Sequence, residues 1–194
     1  AILAETEPAI RAVVGDWIYS DGATLEAALV GLLREKQLTV AVAESCTGGS
    51  LSARLTNVPG ASEVFLAGYI TYGNEAKEKT LGVPASLLAV HGAVSEPVAV
   101  AMAEGARRVS GAQYALSTTG LAGPGGGTEA KPVGTVYVAL ADGGHPTVVR
   151  RCYFPLDRVT FKHMTTSAAL DLLRRRILGR PLELGGGSSS PGLG

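Results

Sequence analysis

The sequence predicts an α/β protein, a three-layer α/β/α sandwich around a mixed central sheet. Three observations favour this fold: strand-like and helix-like segments alternate along the chain, the first strand is apolar throughout, and the last two strands are separated by a short turn. Parallel strands need long crossovers, whereas a short turn joins antiparallel strands, so both pairings are expected in one sheet.

The clearest helix is predicted over 24–36, where TLEAALVGLLREK follows a Ser-Asp-Gly punctuation. Five apolar side chains recur there at helical spacing on one face: Leu25, Ala28, Leu29, Leu32 and Leu33. The predicted N-cap of a later helix is Asn74, and the glycine-rich turn from Thr47 is expected to open another. The helices predicted beyond the first span about 47–56, 74–82, 84–91, 95–109 and 157–178.

The first strand is predicted from Leu38 to Ala43, a run with little polar alternation, as expected of a central strand covered on both faces. Further strands are predicted over 64–72, 114–118, 134–142 and 147–154, with Gly143 to Pro146 as a hairpin connection between the last two. Residues 119–132, TGLAGPGGGTEAKP, are too rich in Gly and Pro for either regular element.

The organisation predicted is one domain over 21–180. Residues 1–20 are interpreted as the remnant of a preceding domain or linker. Residues 181–194 are predicted to be a flexible tail, because GGGSSSPGLG has nothing to bury.

Composition and charge narrow the function classes. Net charge is zero, which removes the electrostatic footprint of a protein that binds nucleic acid or an anionic membrane, so a small-molecule partner is favoured. The two cysteines have neither zinc-site spacing nor the density of a disulfide scaffold, which predicts a cytoplasmic setting. No apolar run reaches the ~20 residues of a membrane helix. Short strands and Ala-rich helices are compatible with a homodimer.

The stretch AESCTGGS, residues 43–50, places three nucleophile-capable side chains where the first strand ends. Its glycines predict either an anion cradle at a helix N-terminus or merely a tight turn, and the spacing leaves both open. Ser45 needs a base to take its proton, whereas the Cys46 thiol is intrinsically more nucleophilic but is more commonly a small buried residue.

Candidate bases are the three histidines and the lysines. His91 and His145 occupy a helix end and a turn, and His163 is interpreted as structural. Lys77, in TYGNEAK, follows an apolar strand, and partial withdrawal from water would let it lose its proton near neutral pH. Spacing alone nevertheless favours a solvated lysine. The glycine-rich loop over 119–132 formally matches a dinucleotide fingerprint at 125–130, but a strand follows instead of a helix.

Four motifs in order resemble one known family: AESCTGG at 43–49, TYGNEAK at 71–77, TGLAGPGGGTEAKPVGTV at 119–136, and Asp157-Arg158 before the last helix. The chain is similar over about residues 25–178 to the CinA C-terminal domain, the nicotinamide mononucleotide deamidases. The resemblance implies hydrolysis of the carboxamide of nicotinamide mononucleotide to nicotinate mononucleotide and ammonia. It implies Ser45 as the nucleophile and Lys77 as its base, without cofactor or metal.

The same resemblance implies the substrate-binding residues, with Arg158 at the phosphate and backbone N–H groups of 47–49 or 119–127 at the developing oxyanion. The set is Thr47, Gly48, Gly49, Tyr72, Asn74, Thr119, Gly120, Gly123 and Arg158. Departures from the family pattern stand at Gly73 and at Glu129-Ala130, both in loops. The alternative function is a non-catalytic nucleotide-binding or scaffold module of a competence- or damage-inducible protein, which would bind without turnover.

Overall fold

Helices and strands alternate along residues 2–182, the part of the chain that this computed structural model describes. The helices are α1 (Ile2–Val14), α2 (Leu25–Glu35), α3 (Ser50–Thr56), α4 (Asn74–Leu81), α5 (Ala85–His91), α6 (Glu96–Ser110) and α7 (Arg158–Ile177). The strands are β1 (Val40–Glu44), β2 (Phe65–Ile70), β3 (Tyr114–Gly120), β4 (Thr135–Asp142) and β5 (Val148–Tyr153).

The five strands form one mixed sheet in the order β2-β1-β3-β4-β5. β1 pairs in parallel with both β2 and β3, while β3–β4 and β4–β5 are antiparallel, which confirms the predicted mixture. β1 lies in the interior of the sheet, although the middle strand is β3. Because β1, β2 and β3 run the same way, their carboxyl ends meet at one edge, where parallel sheets commonly bind ligands.

The two faces of the sheet differ in side-chain size. On one face, Val and Leu side chains of β1, β3 and β4 pack with α2, α3 and α7. On the other face the same strands present alanines, against which α6 packs closely together with α4 and α5. The large-face residues are Val40, Val42, Leu116, Val138 and Leu140, and the small-face residues are Ala41, Ala43, Ala115, Ala139 and Ala141. Helices on both faces confirm the three-layer sandwich.

Three local predictions were wrong. The helix predicted from Thr47 begins at Ser50, because Gly48 and Gly49 adopt left-handed φ angles of 58° and 96° and prolong the turn. Asn74 is the first residue of α4 instead of its N-cap, a position that Gly73 occupies.

The third difference lies at the end of β3. Thr119 and Gly120 extend this strand by pairing with Tyr137 and Val136 of β4, so the irregular loop begins only after them. A Cβ at residue 120 would lie 2.8 Å from Thr135 O, so glycine permits this close strand pairing.

The N-terminal segment contains a helix that the sequence analysis did not predict. α1 is followed by a 3-10 turn over Gly15–Trp17, and residues 6–14 are exposed. The Trp17 ring lies 4.7 Å from the guanidinium of Arg175 on α7, so the chain rejoins the domain here. The proposed division at residue 20 stays a prediction.

The predicted tail lies mostly outside the described residues, which end at Leu182. Pro181 O accepts a hydrogen bond from Arg175, and Leu182 packs against the core beside α7. Among the described helices, none combines the length and apolarity that a bilayer-crossing segment requires.

Candidate active site

Ser45 lies immediately beyond β1, at the carboxyl edge of the parallel strands. Its backbone N–H donates to Thr118 O of β3 at 2.9 Å, and its own carbonyl accepts from Gly48 N–H at 3.2 Å. The first bond continues the β1–β3 ladder by one residue, and the second closes the turn. The half-buried side chain is thus held on a rigid backbone next to the two neighbouring strands.

Glu44 stabilises the turn that follows Ser45. Its fully buried carboxylate accepts from the N–H groups of Gly49, Leu51 and Ser52 at 2.8–3.0 Å and from the Ser52 hydroxyl at 2.7 Å. A carboxylate at a helix N-terminus satisfies unpaired N–H groups and interacts favourably with the helix dipole. The predicted anion cradle therefore exists, but the chain's own carboxylate fills it, and an external anion cannot bind these N–H groups.

Lys77 lies on the buried side of α4 and is completely inaccessible to solvent. Its Nζ lies 2.8 Å from Thr71 O, 3.1 Å from Tyr72 O and 3.2 Å from Ser45 Oγ. The two carbonyls only accept, so each takes an N–H of the amine. A neutral amine has two N–H groups and one lone pair, and the lone pair is then left for the Ser45 hydroxyl proton.

The electrostatic surroundings favour this neutral form. Burial lowers the pKa of Lys77, and the neighbouring Cys46 acts weakly in the opposite direction. Within residues 2–182, no carboxylate forms an ion pair with Lys77 Nζ. The arrangement is therefore a serine hydroxyl hydrogen-bonded to an amine that can accept its proton.

Cys46 faces away from this pair. Its side chain is 5% exposed and packs in the core under α3 and α7. Burial raises the pKa of the Cys46 thiol to about 12, and the charge of Glu44 acts in the same direction. A thiol with this pKa is protonated at neutral pH and is a poor nucleophile. Of the two candidate nucleophiles that the sequence left open, only Ser45 therefore lies within hydrogen-bond distance of Lys77 Nζ.

Two threonines of the predicted binding set form side-chain hydrogen bonds with other residues of the protein. Thr47 Oγ1 lies 2.7 Å from Thr118 Oγ1, and Thr119 Oγ1 donates to Ala93 O at 2.7 Å. Both residues are fully buried. Their hydroxyls connect the Ser45 turn and the segment between α5 and α6 to β3, so only their backbone groups remain for a ligand.

The outer rim of the site joins three chain segments. Arg158, at the start of α7, donates to Tyr72 OH at 3.0 Å and to Gly123 O at 2.9 Å. The Tyr72 ring is 60% exposed, and Asn74 is exposed at the start of α4. Arg158 thus connects the Tyr72 segment to the glycine-rich loop, and Gly120 lies at the β3 end where that loop begins.

One residue of this rim was missed. Lys162, one turn after Arg158 on α7, has its ammonium 3.8 Å from where a Cβ of Gly48 would lie. The i,i+4 spacing from Arg158 was a usable signal, since such residues share a helix face. The approach to Gly48 depends on how α7 packs beside α3, which no local pattern reveals.

The histidines do not join the Ser45–Lys77 pair. His145 pairs with Asp142 in the β4–β5 turn, at the opposite edge of the sheet from Ser45. His91 ends α5, and His163 is exposed on α7. No group of three or more His, Cys, Asp or Glu side chains among residues 2–182 is arranged to hold a metal ion.

A pocket of about 600 Å³ lies elsewhere, between α5 and α6, where Leu87, Pro97 and Val100 are among the lining residues. It contains Glu96, Glu104 and Arg108 but neither Ser45 nor Lys77. Its size therefore gives no reason to move the candidate site from the carboxyl edge of the sheet.

Comparison with known proteins agrees with this fold. The sequence model of the CinA C-terminal domain family matches residues 22–177. A CinA-like protein of Geobacter sulfurreducens is 51% identical over 178 residues, which is 91% of this chain and 43% of that protein. A putative competence-damage inducible protein of Caldicellulosiruptor bescii is 51% identical over 181 residues, 92% of this chain and 43% of the relative. The chain thus spans less than half the length of these curated relatives.

Solved structures give the same result. The competence/damage inducible protein CihA from Agrobacterium tumefaciens aligns with a TM-score of 0.74 at 36% identity, covering 80% of this chain and 97% of that one. A CinA superfamily protein from Klebsiella pneumoniae aligns with a TM-score of 0.76 at 32% identity, covering 80% and 96%. By the matched residues and by the fold, the chain belongs to the CinA C-terminal domain family.

Proposed function

We propose that this chain is a nicotinamide-nucleotide amidohydrolase, which converts nicotinamide mononucleotide to nicotinate mononucleotide and ammonia by a Ser45/Lys77 mechanism. The observation that carries the proposal is the 3.2 Å separation of Lys77 Nζ from Ser45 Oγ, with both N–H groups of the amine taken by backbone carbonyls. A buried neutral amine beside a hydroxyl is the arrangement that serine activation requires.

In the first step Lys77 takes the Ser45 proton while Oγ attacks the carboxamide carbon. The C–O bond forms as the carbonyl π electrons move to oxygen, and Lys77 becomes an ammonium. This ammonium then donates a proton to the amide nitrogen, so that the C–N bond breaks and ammonia leaves. A water molecule attacks the resulting ester with Lys77 again as the base, and Ser45 regains its proton.

The oxyanion requires backbone donors that are not already used. Gly48 N–H donates to Ser45 O, and Gly49 N–H donates to Glu44, so neither is available. The N–H groups of Cys46 and Thr47 donate to no backbone carbonyl within residues 2–182. We assign the oxyanion to these two groups, since preorganised N–H donors stabilise charge that develops in the transition state.

The charge of the substrate fits a neutral base. The pyridinium ring of nicotinamide mononucleotide is cationic and withdraws electrons from its amide, and an ammonium at Lys77 in the resting site would repel it. The exposed Tyr72 ring offers a face on which a cationic ring can stack. Arg158, hydrogen-bonded to Tyr72, provides positive charge for the phosphate at the same rim.

The experiment is incubation of the protein with nicotinamide mononucleotide, with ammonia release and the acid product measured by mass spectrometry. Ser45→Ala is expected to abolish turnover while it leaves mononucleotide binding within about threefold, because the hydroxyl acts mainly in the chemical step. Cys46→Ala is the matched control at the adjacent residue and is expected to retain turnover.

Two results would overturn the proposal. Full activity of Ser45→Ala with loss of activity in Cys46→Ala would assign the nucleophile to the thiol. Binding of the mononucleotide by the wild-type protein without any acid product would instead favour the nucleotide-binding module.

A further inference from the structure

Two cations of α7 face the candidate site, and their surroundings differ. The Arg158 guanidinium is engaged by Tyr72 OH and Gly123 O, whereas within residues 2–182 the Lys162 ammonium has neither a hydrogen bond nor an ion-pair partner. Arg158 therefore uses two of its N–H groups to connect the Tyr72 segment with the glycine-rich loop. Lys162 retains all three N–H groups for a ligand.

Each cation lies next to a residue whose backbone is hydrogen-bonded to Ser45 or to Lys77. Arg158 contacts Tyr72, whose carbonyl binds Lys77 Nζ. The Lys162 ammonium lies over Gly48, whose N–H binds the carbonyl of Ser45. An anionic group that touched Lys162 would thus lie beside the turn of Ser45, on the side of α7.

The space beside Lys162 can accept such a group. Lys162 lines a pocket of about 250 Å³ between the starts of α3 and α7, together with Ser50, Arg54 and His163. No acidic residue lines it, and Arg54 within it is already bonded to Glu26 and to hydroxyls of α7. The volume greatly exceeds the ~30 Å³ of one water molecule.

We infer that Lys162 is a specificity-determining residue that binds the phosphate of the substrate, so that the site selects a nucleoside monophosphate over the corresponding nucleoside. This inference rests on the proposed function for the identity of the substrate. Gly48 lies directly beside this cation, since a Cβ at residue 48 would lie 3.8 Å from the Lys162 ammonium, in van der Waals contact with it.

The test compares nicotinamide mononucleotide with nicotinamide riboside, which lacks only the phosphate. Lys162→Met removes the charge and keeps the length of the side chain. We expect it to lower kcat/KM for the mononucleotide by about 10- to 100-fold, mainly through KM, as for loss of one charge-assisted hydrogen bond. The same variant is expected to leave kcat/KM for the riboside unchanged, and Lys162→Arg to restore most of the mononucleotide activity.

Lys36→Met is the matched control, an exposed lysine before the amino end of β1, at the opposite edge of the sheet. It is expected to leave kcat/KM unchanged for both substrates. An equal loss of kcat/KM on both substrates in Lys162→Met, or no loss on either, would overturn the inference.

A second measurement separates this inference from the proposed function. Binding of ribose 5-phosphate is measured by calorimetry in Ser45→Ala and in Ser45→Ala combined with Lys162→Met. Weaker binding in the double variant supports the phosphate contact even if the wild-type protein releases no ammonia, and equal binding overturns it even if the amidase is active.

Discussion

At Lys77, burial and hydrogen bonding both favour the neutral form of the amine. Removal of an ammonium from water is costly without a paired carboxylate, and the amine reduces that cost by losing its charge. The carbonyls of Thr71 and Tyr72 then fix the direction of the lone pair. The buried amine therefore lowers the stability of the fold, a cost that functional sites commonly show.

The lowered pKa of Lys77 predicts how stability changes with pH. Between that pKa and the ordinary value of 10.5, the unfolded chain binds more protons than the folded chain, so the contribution of Lys77 to the free energy of unfolding rises with pH. Lys77→Met removes this contribution. We therefore expect Lys77→Met to be most favourable relative to wild type at pH values below the lowered pKa, and the difference to shrink as the pH rises from there towards 10.5.

Urea unfolding at a series of pH values measures this difference. Lys79→Met, a change of an exposed lysine on the same helix, controls for the loss of one positive charge. A difference between Lys77→Met and wild type that does not vary with pH would show that Lys77 keeps its ordinary pKa.

At the scale of elements, the turn between β1 and α3 depends on one carboxylate. Glu44 binds three backbone N–H groups of the α3 start, and it is adjacent to Ser45. The position of the Ser45 side chain therefore depends on how α3 is anchored to this carboxylate. The contact between α6 and α4 similarly affects the position of Lys77, because α4 carries this residue.

Replacement of Glu44 is expected to weaken both stability and catalysis. Glu44→Gln loses the charge, and its NH₂ group faces N–H donors, so we expect the free energy of unfolding to fall by about 2 kcal/mol. Ammonia release should fall as well, because the Ser45 turn is no longer fixed. Chemical denaturation and the amidase assay measure the two effects. Glu35→Gln, at the exposed end of α2, should change neither, and wild-type behaviour of Glu44→Gln would contradict this role.

Gly105 allows α6 to contact the end of α4. A Cβ at residue 105 would lie 2.2 Å from Leu81 O, so Gly105→Ala must push the two helices apart. We expect a loss of about 2–3 kcal/mol in the free energy of unfolding and reduced turnover, since α4 positions Lys77.

The matched control for Gly105 is Gly31→Ala in α2, where a Cβ would meet nothing within 4 Å. This variant should stabilise the protein by up to about 1 kcal/mol through helix propensity alone. Thermal denaturation compares the two, and equal effects would show that the α6–α4 contact is not tight.

At the scale of the whole molecule, α1 and the domain over α2–α7 are connected at Trp17. Residues 6–14 of α1 are exposed, whereas Trp17 packs over Arg175 and Tyr19 lines a pocket with Arg174 of α7. We therefore expect the segment over 15–19 to unfold together with the domain, although the matched family region begins later, at residue 22.

Two truncations test this boundary. A chain that begins at Gly15 should keep its free energy of unfolding within about 0.5 kcal/mol, because it loses only exposed side chains among those described. A chain that begins at Ser20 should lose about 1 kcal/mol, because it also lacks the cation–π contact of Trp17 with Arg175. Denaturation of both chains measures the difference. Equal stability of the two would place residues 15–19 outside the cooperative unit.

Much of the fold follows from local patterns. Apolar periodicity predicted α2, and the short Gly143–Pro146 turn predicted the antiparallel β4–β5 pair. The two boundaries that failed have different causes. Before Ser50, Gly48 and Gly49 adopt left-handed φ angles, and a glycine in a sequence does not reveal whether it will do so. At Gly120, β3 is extended by pairing with β4, which lies outside the segment that it alters.

The amino-acid sequence by itself determined the α/β class, the mixed sheet and the family, because these depend on side-chain periodicity, turn residues and motif order. The tertiary structure alone decided that Lys77, thirty-two residues after Ser45, is buried against it, that Cys46 faces the core, and that Lys162 lies over Gly48. The physical reason is that burial, and with it the charge of an amine or thiol, is a property of what surrounds a residue. That surrounding is assembled only when β1, β2 and α7 meet.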